Sequence, residues 1–291
     1  MSDRRMSHAR VRRARAAEKA ARIITGACLL FAVGATIAII GLIAYRGLSS
    51  ISLEFIFGMP RKNMTAGGIW PAIYGTILLT LGTALFALPL GVGAGVYLAE
   101  YAKRGTGTRV IRLSIQNMAG VPSIVYGLFG LSAFVIVMRY GVSLLSGSLT
   151  LACLTLPVII SATEEALQQV PQDLRQASLA LGATKLRTIS RVVLPAAAPG
   201  IVTGSILGLS RAAGETAPII LTAAAFYAPM PRSPFDQVMA LPYHLYIMAT
   251  QAVRPSPSII WGTALVLVAG VTTAGVLAAA WRSRQRSKIR W

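Results

Sequence analysis

The chain has 291 residues, of which 55% are apolar and only 13% are charged, and its formal net charge is +19. A soluble domain carries about 25% charged residues, so this composition excludes an ordinary soluble protein and indicates a membrane protein with several spans. The net charge does not indicate a nucleic-acid-binding domain, because the basic residues lie in the tails and short loops between apolar runs.

The chain divides into five segments by composition. A basic N-terminal segment, residues 1–22, precedes a first predicted transmembrane helix at residues 23–45 and a predicted extracytoplasmic loop at 46–69. A predicted helical membrane core follows at 70–281, and a basic tail closes the chain at 282–291. For the N-terminal segment two interpretations stay open: an amphipathic helix on anionic lipid, or a disordered tail.

Six apolar runs predict an all-α protein with six spans, because about 20 residues of helix cross ~30 Å of hydrocarbon. The predicted spans are Ile23–Tyr45, Trp70–Leu98, Leu113–Met138, Leu149–Ala162, Ala197–Leu221 and Ile259–Trp281. Gly120–Ser123 predicts an interruption within the third of them. The segment Phe235–Thr250 is too short and too polar to span, so we expect it to be interfacial or re-entrant.

Basic residues are distributed unequally between the two sides of this predicted topology. The side that contains both termini and the polar stretch 164–195 carries 21 Lys and Arg, whereas the opposite loops carry six. Cytoplasmic loops of membrane proteins are enriched in Lys and Arg. The sequence therefore predicts that both termini and residues 164–195 are cytoplasmic.

Residues 171–195 predict two short helices separated by Gly182, since glycine commonly ends a helix where φ becomes positive. The second helix is predicted at Thr184–Val193, and we expect Leu194-Pro195 to break it. Such a pair could fit a groove of another protein or lie on lipid headgroups, and spacing alone leaves both open.

The same stretch resembles the EAA loop of type I ABC importer permeases. The residues that carry the resemblance are Gln176, Ala177, Ser178, Gly182, Ala183, Leu194 and Pro195. Gln-Ala-Ser stands where the family commonly has Glu-Ala-Ala, so one carboxylate of the pattern is missing. The resemblance implies that these residues dock an ATP-binding subunit.

A narrower resemblance covers most of the chain after residue 66. The segments GGIWPAIYGTILLT, GVPSIVYGLFGL, ASLALGATKLRTISRVVLP and SRAAGETAP are similar, in this order, to phosphate permeases among these importers. The resemblance implies a type I importer permease fold in a bacterial plasma membrane, with inorganic phosphate as substrate. It also implies a second homologous permease, an ATP-binding subunit dimer and an extracytoplasmic phosphate-binding protein as partners.

Two opposite charges, Arg211 and Glu215, lie inside the fifth predicted span. At about 1.5 Å per residue from Pro199, Arg211 would lie ~18 Å deep and Glu215 ~24 Å deep. One interpretation is a structural ion pair that fixes helix packing. The other is that Arg211 lines the substrate path, because its planar fork of donors suits phosphate, while Glu215 holds it.

Three hydroxyl side chains could add hydrogen-bond donors to this path, although each could equally be a packing group. They are Thr80, Ser123 and Tyr126.

Other function classes have little support in the sequence. It contains no G-x-x-x-x-G-K-[ST], no G-x-S-x-G and no H-E-x-x-H, so we expect no catalytic residues, no metal and no cofactor. An ion-coupled secondary transporter remains an alternative, because charged pairs near the midplane also occur in such carriers. A permease for a related oxyanion is the other alternative.

Overall fold

The computed structural model describes residues 8–61, 66–103, 105–251 and 256–286. Most of these residues are in helices. Their bounds are α1 (His8–Gly47), α2 (Leu53–Phe57), α3 (Trp70–Val96), α4 (Thr106–Ala119), α5 (Ser123–Gly130), α6 (Leu144–Gln168), α7 (Gln172–Ala180), α8 (Lys185–Thr188), α9 (Leu194–Gly214), α10 (Ala217–Thr222), α11 (Leu241–Thr250) and α12 (Pro257–Arg286).

Shorter elements connect these helices. Within the described ranges, three stretches have π-helical hydrogen bonding, at Tyr97–Tyr101, Leu131–Val137 and Ile189–Val193, and Leu48–Ser50 forms a 3₁₀ turn. Two short strands, β1 (Pro60–Arg61) and β2 (Ala66–Gly67), pair antiparallel between α2 and α3. The ends of the predicted basic tails, residues 1–7 and 287–291, lie outside the described residues.

Five helices within the described ranges are long and apolar enough to cross a membrane, namely α1, α3, α6, α9 and α12. The third predicted span, Leu113–Met138, is instead two helices, because α4 and α5 meet at an angle of 100°. Pro122 between them has φ −57° and ψ 137°, an extended conformation in which an α-helix cannot continue. Counted as one span, the bent pair brings the total to the six predicted.

Helix α6 packs closely against both α3 and α9, and glycine permits this approach. A Cβ atom at Gly95 of α3 would lie only 2.6 Å from the Cβ of Thr163, and one at Gly204 of α9 would overlap the Cβ of Ala162. Small residues let helix backbones approach each other in this way. Gly200, Gly204 and Gly208 of α9 form a stripe of small residues on the face towards α6.

The connection from α8 to α9 is continuous, and the predicted break at Leu194-Pro195 is wrong. Residues Lys185–Gly214 form one helix, with the π-helical stretch Ile189–Val193 leading directly into α9. Pro195 lies in the first turn of the α-helical part. Proline is tolerated inside this continuous helix because a local π-helical adjustment re-pairs backbone groups that the missing amide leaves without a partner.

Two further boundaries differ from the predicted spans. Helix α6 extends to Gln168, so Glu164 and Glu165 lie within the helix instead of in a polar stretch after it. Helix α9 ends at Gly214, before the predicted end at Leu221, because Glu215 is extended with φ −73° and ψ 132°. A separate short helix, α10, then follows.

The predicted interfacial or re-entrant segment Phe235–Thr250 contains α11, a helix of only 10 residues. It is held against α3 by a hydrogen bond from the Leu241 backbone amide to Thr76 Oγ1 of 2.8 Å. Around it, buried Phe55, Met248 and neighbouring side chains form an apolar cluster with the α2 region and α12. The segment is thus packed against α3, the α2 region and α12.

Helix α1 contains the first predicted span, residues 23–45, and also runs back into the predicted N-terminal segment. Within that segment, the residues from His8 onward are helical and continue into the span without a break. Most of α1 is exposed, and it meets α12 near Gly47, where the Arg46 guanidinium lies 5.1 Å from the Trp261 ring centroid.

Candidate functional site

Two short helices and the turn between them form the α7–α8 hairpin (residues 172–188), as the sequence predicts. Gly182 at the turn has φ +81°, a conformation that glycine adopts without strain. The two helices are joined by a hydrogen bond of 2.9 Å between the hydroxyls of Ser178 and Thr188. Thr184 caps α8 by accepting a hydrogen bond from the Arg187 amide at 3.3 Å. The second helix does not end at Val193 as predicted, because α8 passes at Ile189 into the π-helical stretch that leads into α9.

The tip of the hairpin exposes apolar side chains. Leu181 is 90% exposed and Leu186 is 69% exposed. Of the residues that resemble the EAA loop, Gln176, Ala177 and Gly182 are also exposed. This tip is therefore an apolar surface that the isolated chain leaves uncovered.

The other residues of that resemblance lie elsewhere. Ser178 is half-buried in its bond to Thr188, and Ala183 is half-buried beside the turn. Leu194 packs in an apolar cluster at the beginning of α9, and Pro195 is exposed on the first turn of that helix. These four residues are therefore not part of the apolar tip.

A buried ion pair ties the hairpin to the end of α3. Arg175 Nη2 of α7 lies 2.9 Å from Glu100 Oε1, and the two side chains are only 12% and 9% exposed. Arg175 also donates to the carbonyls of Leu167, at 2.8 Å, and Val170. Sequence reasoning missed this pair because 75 residues separate its members, and no local spacing pattern connects them.

Two further contacts involve the same end of α3. Arg112 of α4 donates to the carbonyl of Leu98 at 3.0 Å and pairs with Glu164 of α6 at 2.7 Å. Lys185 Nζ of α8 lies 4.8 Å from the ring centroid of Tyr101, a cation–π contact. The same end of α3 therefore contacts α4 and α8 as well as α7.

The predicted pair Arg211–Glu215 is present. Arg211 Nε donates to Glu215 Oε1 at 3.3 Å, so the structural interpretation of the pair is compatible with this geometry. The two partners differ greatly in exposure, because the Arg211 side chain is 58% exposed and that of Glu215 is 17% exposed. Glu215 thus orients a guanidinium that faces outward from the chain.

Two of the three predicted hydroxyl residues are hydrogen-bonded to nearby backbone carbonyls. Thr80 donates to the Thr76 carbonyl at 2.7 Å and lines an apolar cavity of about 430 Å³ between α3, α9 and α12, whose lining does not include Arg211. Tyr126 donates to the Met118 carbonyl at 2.9 Å, and Ser123 begins α5. The two hydrogen bonds are local and match the packing interpretation of these hydroxyls.

Helix α11 contains a buried ionisable residue, His244, away from the hairpin and from the Arg211–Glu215 pair. His244 is 4% exposed, and its ring nitrogens have no hydrogen-bond partner among the described residues. Burial lowers the pKa of its imidazole to about 4. Within the described ranges, no group of three His, Cys, Asp or Glu side chains is placed to hold a metal ion.

Comparison with known proteins places these features in a family. The model of the binding-protein-dependent transport system inner membrane component matches residues 91–287. Over 277 residues the chain is 34% identical to the probable ABC transporter permease protein YqgI of Bacillus subtilis, covering 91% of this chain and 94% of that protein. Over 216 residues it is 39% identical to the phosphate transport system permease protein PstA 1 of Mycobacterium tuberculosis, covering 74% of this chain and 70% of that protein.

A solved structure shows the same fold. A chain of the inward-facing MetNI methionine ABC transporter matches with a TM-score of 0.62 and 19% identity, covering 76% of this chain and 98% of that one. The fold is therefore that of a type I ABC importer permease, as the sequence predicts. The chain belongs to the family of binding-protein-dependent transport system inner membrane components, the permease subunits of ABC importers.

Proposed function

We propose that the chain forms half of the translocation path of an ATP-driven importer of inorganic phosphate. The observation that carries the proposal is Arg211, which is 58% exposed on a helix apolar enough to span a membrane. A charge at such a position needs a polar path or a partner, because lipid solvates it poorly. Arginine stays charged and its fork of donors matches phosphate oxygens. A relative with 39% identity that is named a phosphate permease supports the same substrate.

In this proposal Arg211 contacts phosphate and Glu215 holds the guanidinium in place, while Ser123, Tyr126 and Thr80 are secondary candidates. A second, homologous permease covers the exposed face of Arg211 and supplies the other half of the path. The complex lies in a bacterial plasma membrane with both termini and the α7–α8 hairpin in the cytoplasm, as the distribution of Lys and Arg favours.

The chain itself is not the catalyst in this proposal. An ATP-binding subunit dimer docks on the exposed hairpin tip, through Gln176, Ala177 and Gly182 together with Leu181 and Leu186, and hydrolyses ATP. Closure of the dimer then moves the hairpin and opens the path to alternate sides. An extracytoplasmic binding protein delivers phosphate, and no cofactor is required.

Transport by the reconstituted complex tests this function. Vesicles that contain the chain, its partner permease and the ATP-binding subunit should take up phosphate, with the binding protein present, only when ATP is supplied. Preference for sulfate or arsenate over phosphate would favour the related-oxyanion alternative. Uptake that persists without the ATP-binding subunit would favour an ion-coupled carrier and would contradict the proposal.

A further inference from the structure

The end of α3 next to the hairpin consists of the π-helical stretch Tyr97–Tyr101, here named the π-segment of α3. It contacts three other helices through three different groups. The Leu98 carbonyl accepts from Arg112 of α4, Glu100 pairs with Arg175 of α7, and the Tyr101 ring meets Lys185 of α8. Both helices of the hairpin are thus tied to α3 at the same place.

Of these three contacts, the ion pair between Glu100 and Arg175 should be the hardest to break. Both side chains are about nine-tenths buried, at 9% and 12% exposure. Separating two buried opposite charges leaves each without compensation in a poorly polar environment, which is strongly unfavourable. A displacement of α7 should therefore carry Glu100 with it.

Apolar packing acts in the same direction. Leu174 of α7 and Ala99 of the π-segment belong to one apolar cluster with Val193, the residue directly before α9. The hairpin thus has two connections to the long helices, one through residues 97–101 and one through Ile189–Val193, and both are π-helical. Single π-helical turns inside α-helices are found frequently at functional sites.

We propose that the π-segment of α3 transmits movement of the α7–α8 hairpin to α3 and α4, with Glu100 and Arg175 as positioning residues. This inference rests on the proposed docking of an ATP-binding subunit at the hairpin. It adds a second route to the direct connection into α9. Neither residue touches the substrate in this scheme, so their loss should affect coupling more than binding.

The test uses the assembled complex with Glu100→Gln, which keeps an amide oxygen that can accept from Arg175 but removes the charge. Glu54→Gln is the matched control, because the Glu54–Arg61 pair is about 70% exposed and remote from the hairpin. Transport per ATP hydrolysed is measured in vesicles. Deuterium uptake of the peptides covering residues 97–103 and 172–188 is measured with and without ATP and vanadate.

We expect Glu100→Gln to lower the amount of solute transported per ATP hydrolysed by about fivefold or more, a factor at the lower end of those usual for coupling between two sites. Assembly of the complex should be unchanged. Nucleotide should alter deuterium exchange in residues 172–188 of all three proteins. In residues 97–103 it should alter exchange in the wild type and in the Glu54→Gln control, but not in Glu100→Gln. Equal coupling in all three proteins would overturn the inference, and so would a parallel loss of ATP hydrolysis and transport caused by poor assembly.

The two readouts separate this inference from the proposed function. If the solute is not phosphate, the exchange measurement still reports whether residues 97–103 follow the hairpin. If the wild-type hairpin shows no nucleotide response, the proposed docking is contradicted, and the inference with it.

Discussion

At the scale of single residues, the Arg211–Glu215 pair is asymmetric. Glu215 follows the last residue of α9 in an extended conformation and is mostly buried, while the guanidinium of its partner is mostly exposed. Their contact uses only the Nε of Arg211, at 3.3 Å. An arginine held by one nitrogen can present its terminal donors to an anion without first breaking the pair.

We predict that Arg211→Gln leaves the complex assembled but lowers phosphate uptake by about tenfold to a hundredfold, since a hydrogen bond to a charged group contributes about 1.5–3 kcal/mol. Uptake of radiolabelled phosphate by reconstituted vesicles measures the effect. Arg61→Gln is the control, because its ion pair with Glu54 is exposed and such pairs contribute little. Uptake at the wild-type rate by Arg211→Gln would remove Arg211 from the path.

His244 predicts a pH dependence of stability. Its folded-state pKa is about 4, against 6.5 when unperturbed, because burial disfavours the charged imidazole. The unfolded chain therefore binds the proton more readily, and the stability that the neutral ring provides above pH 6.5 is lost as the pH falls toward 4. The loss from this group amounts to roughly 2 kcal/mol at pH 5.

Replacing the imidazole with a phenyl ring should remove this dependence. In detergent, the Tm of His244→Phe should fall less between pH 7 and pH 5 than the Tm of the wild type. The chain's other histidine provides the control, and His8→Gln should keep the wild-type pH dependence. Identical Tm losses in all three proteins would show that protonation of His244 does not destabilise the fold.

At the scale of secondary-structure elements, periodicity and small residues predicted much of the fold. Apolar runs located the long helices, and Gly182 indicated the turn of the hairpin, because both signals are local in sequence. The π-helical stretches were not predictable in this way, since their hydrogen bonds depend on packing. The Arg175–Glu100 pair was missed because only the fold brings α7 to the end of α3.

Two glycine substitutions should differ in their effect on stability, because Gly204 lies in the contact between α6 and α9 whereas Gly93 lies on an open face of α3. A Cβ at Gly204 would overlap Ala162, whereas one at Gly93 would meet no atom within 4 Å. Overpacking costs about 1–3 kcal/mol, so Gly204→Ala should lower the Tm by several degrees. Gly93→Ala should leave it unchanged or raise it slightly, because glycine inside a helix is unfavourable by about 0.5–1 kcal/mol. Thermal unfolding in detergent compares the two variants.

Equal stability of the two glycine variants would contradict the tight contact between α6 and α9. A lower Tm for Gly93→Ala alone would instead place a partner helix on that open face of α3.

At the scale of the whole molecule, two surfaces within the described residues are unfavourable for an isolated subunit. One is the guanidinium of Arg211 on an apolar helix, and the other is the apolar tip of the hairpin, with Leu181 and Leu186. A charge in a span and exposed leucines on a polar hairpin are each unfavourable for a lone subunit. Both features are explained if the chain functions only within a larger complex.

The hairpin tip gives the last prediction. Leu181 is 90% exposed, and burying a leucine side chain contributes about 1.5–3 kcal/mol, so Leu181→Ser should weaken binding of the ATP-binding subunit by about tenfold or more. Leu53→Ser is the matched control, because Leu53 is 78% exposed at the beginning of α2, on the other side of the predicted membrane.

Co-purification of the ATP-binding subunit with the detergent-solubilised complex measures this effect. The hairpin should keep its fold in Leu181→Ser, since Gly182 and the Ser178–Thr188 bond are unchanged, so a loss of binding reports the docking contact itself. If Leu181→Ser and Leu53→Ser retain the subunit equally well, the tip lies on lipid headgroups instead, and the docking surface has to be sought elsewhere on the cytoplasmic side.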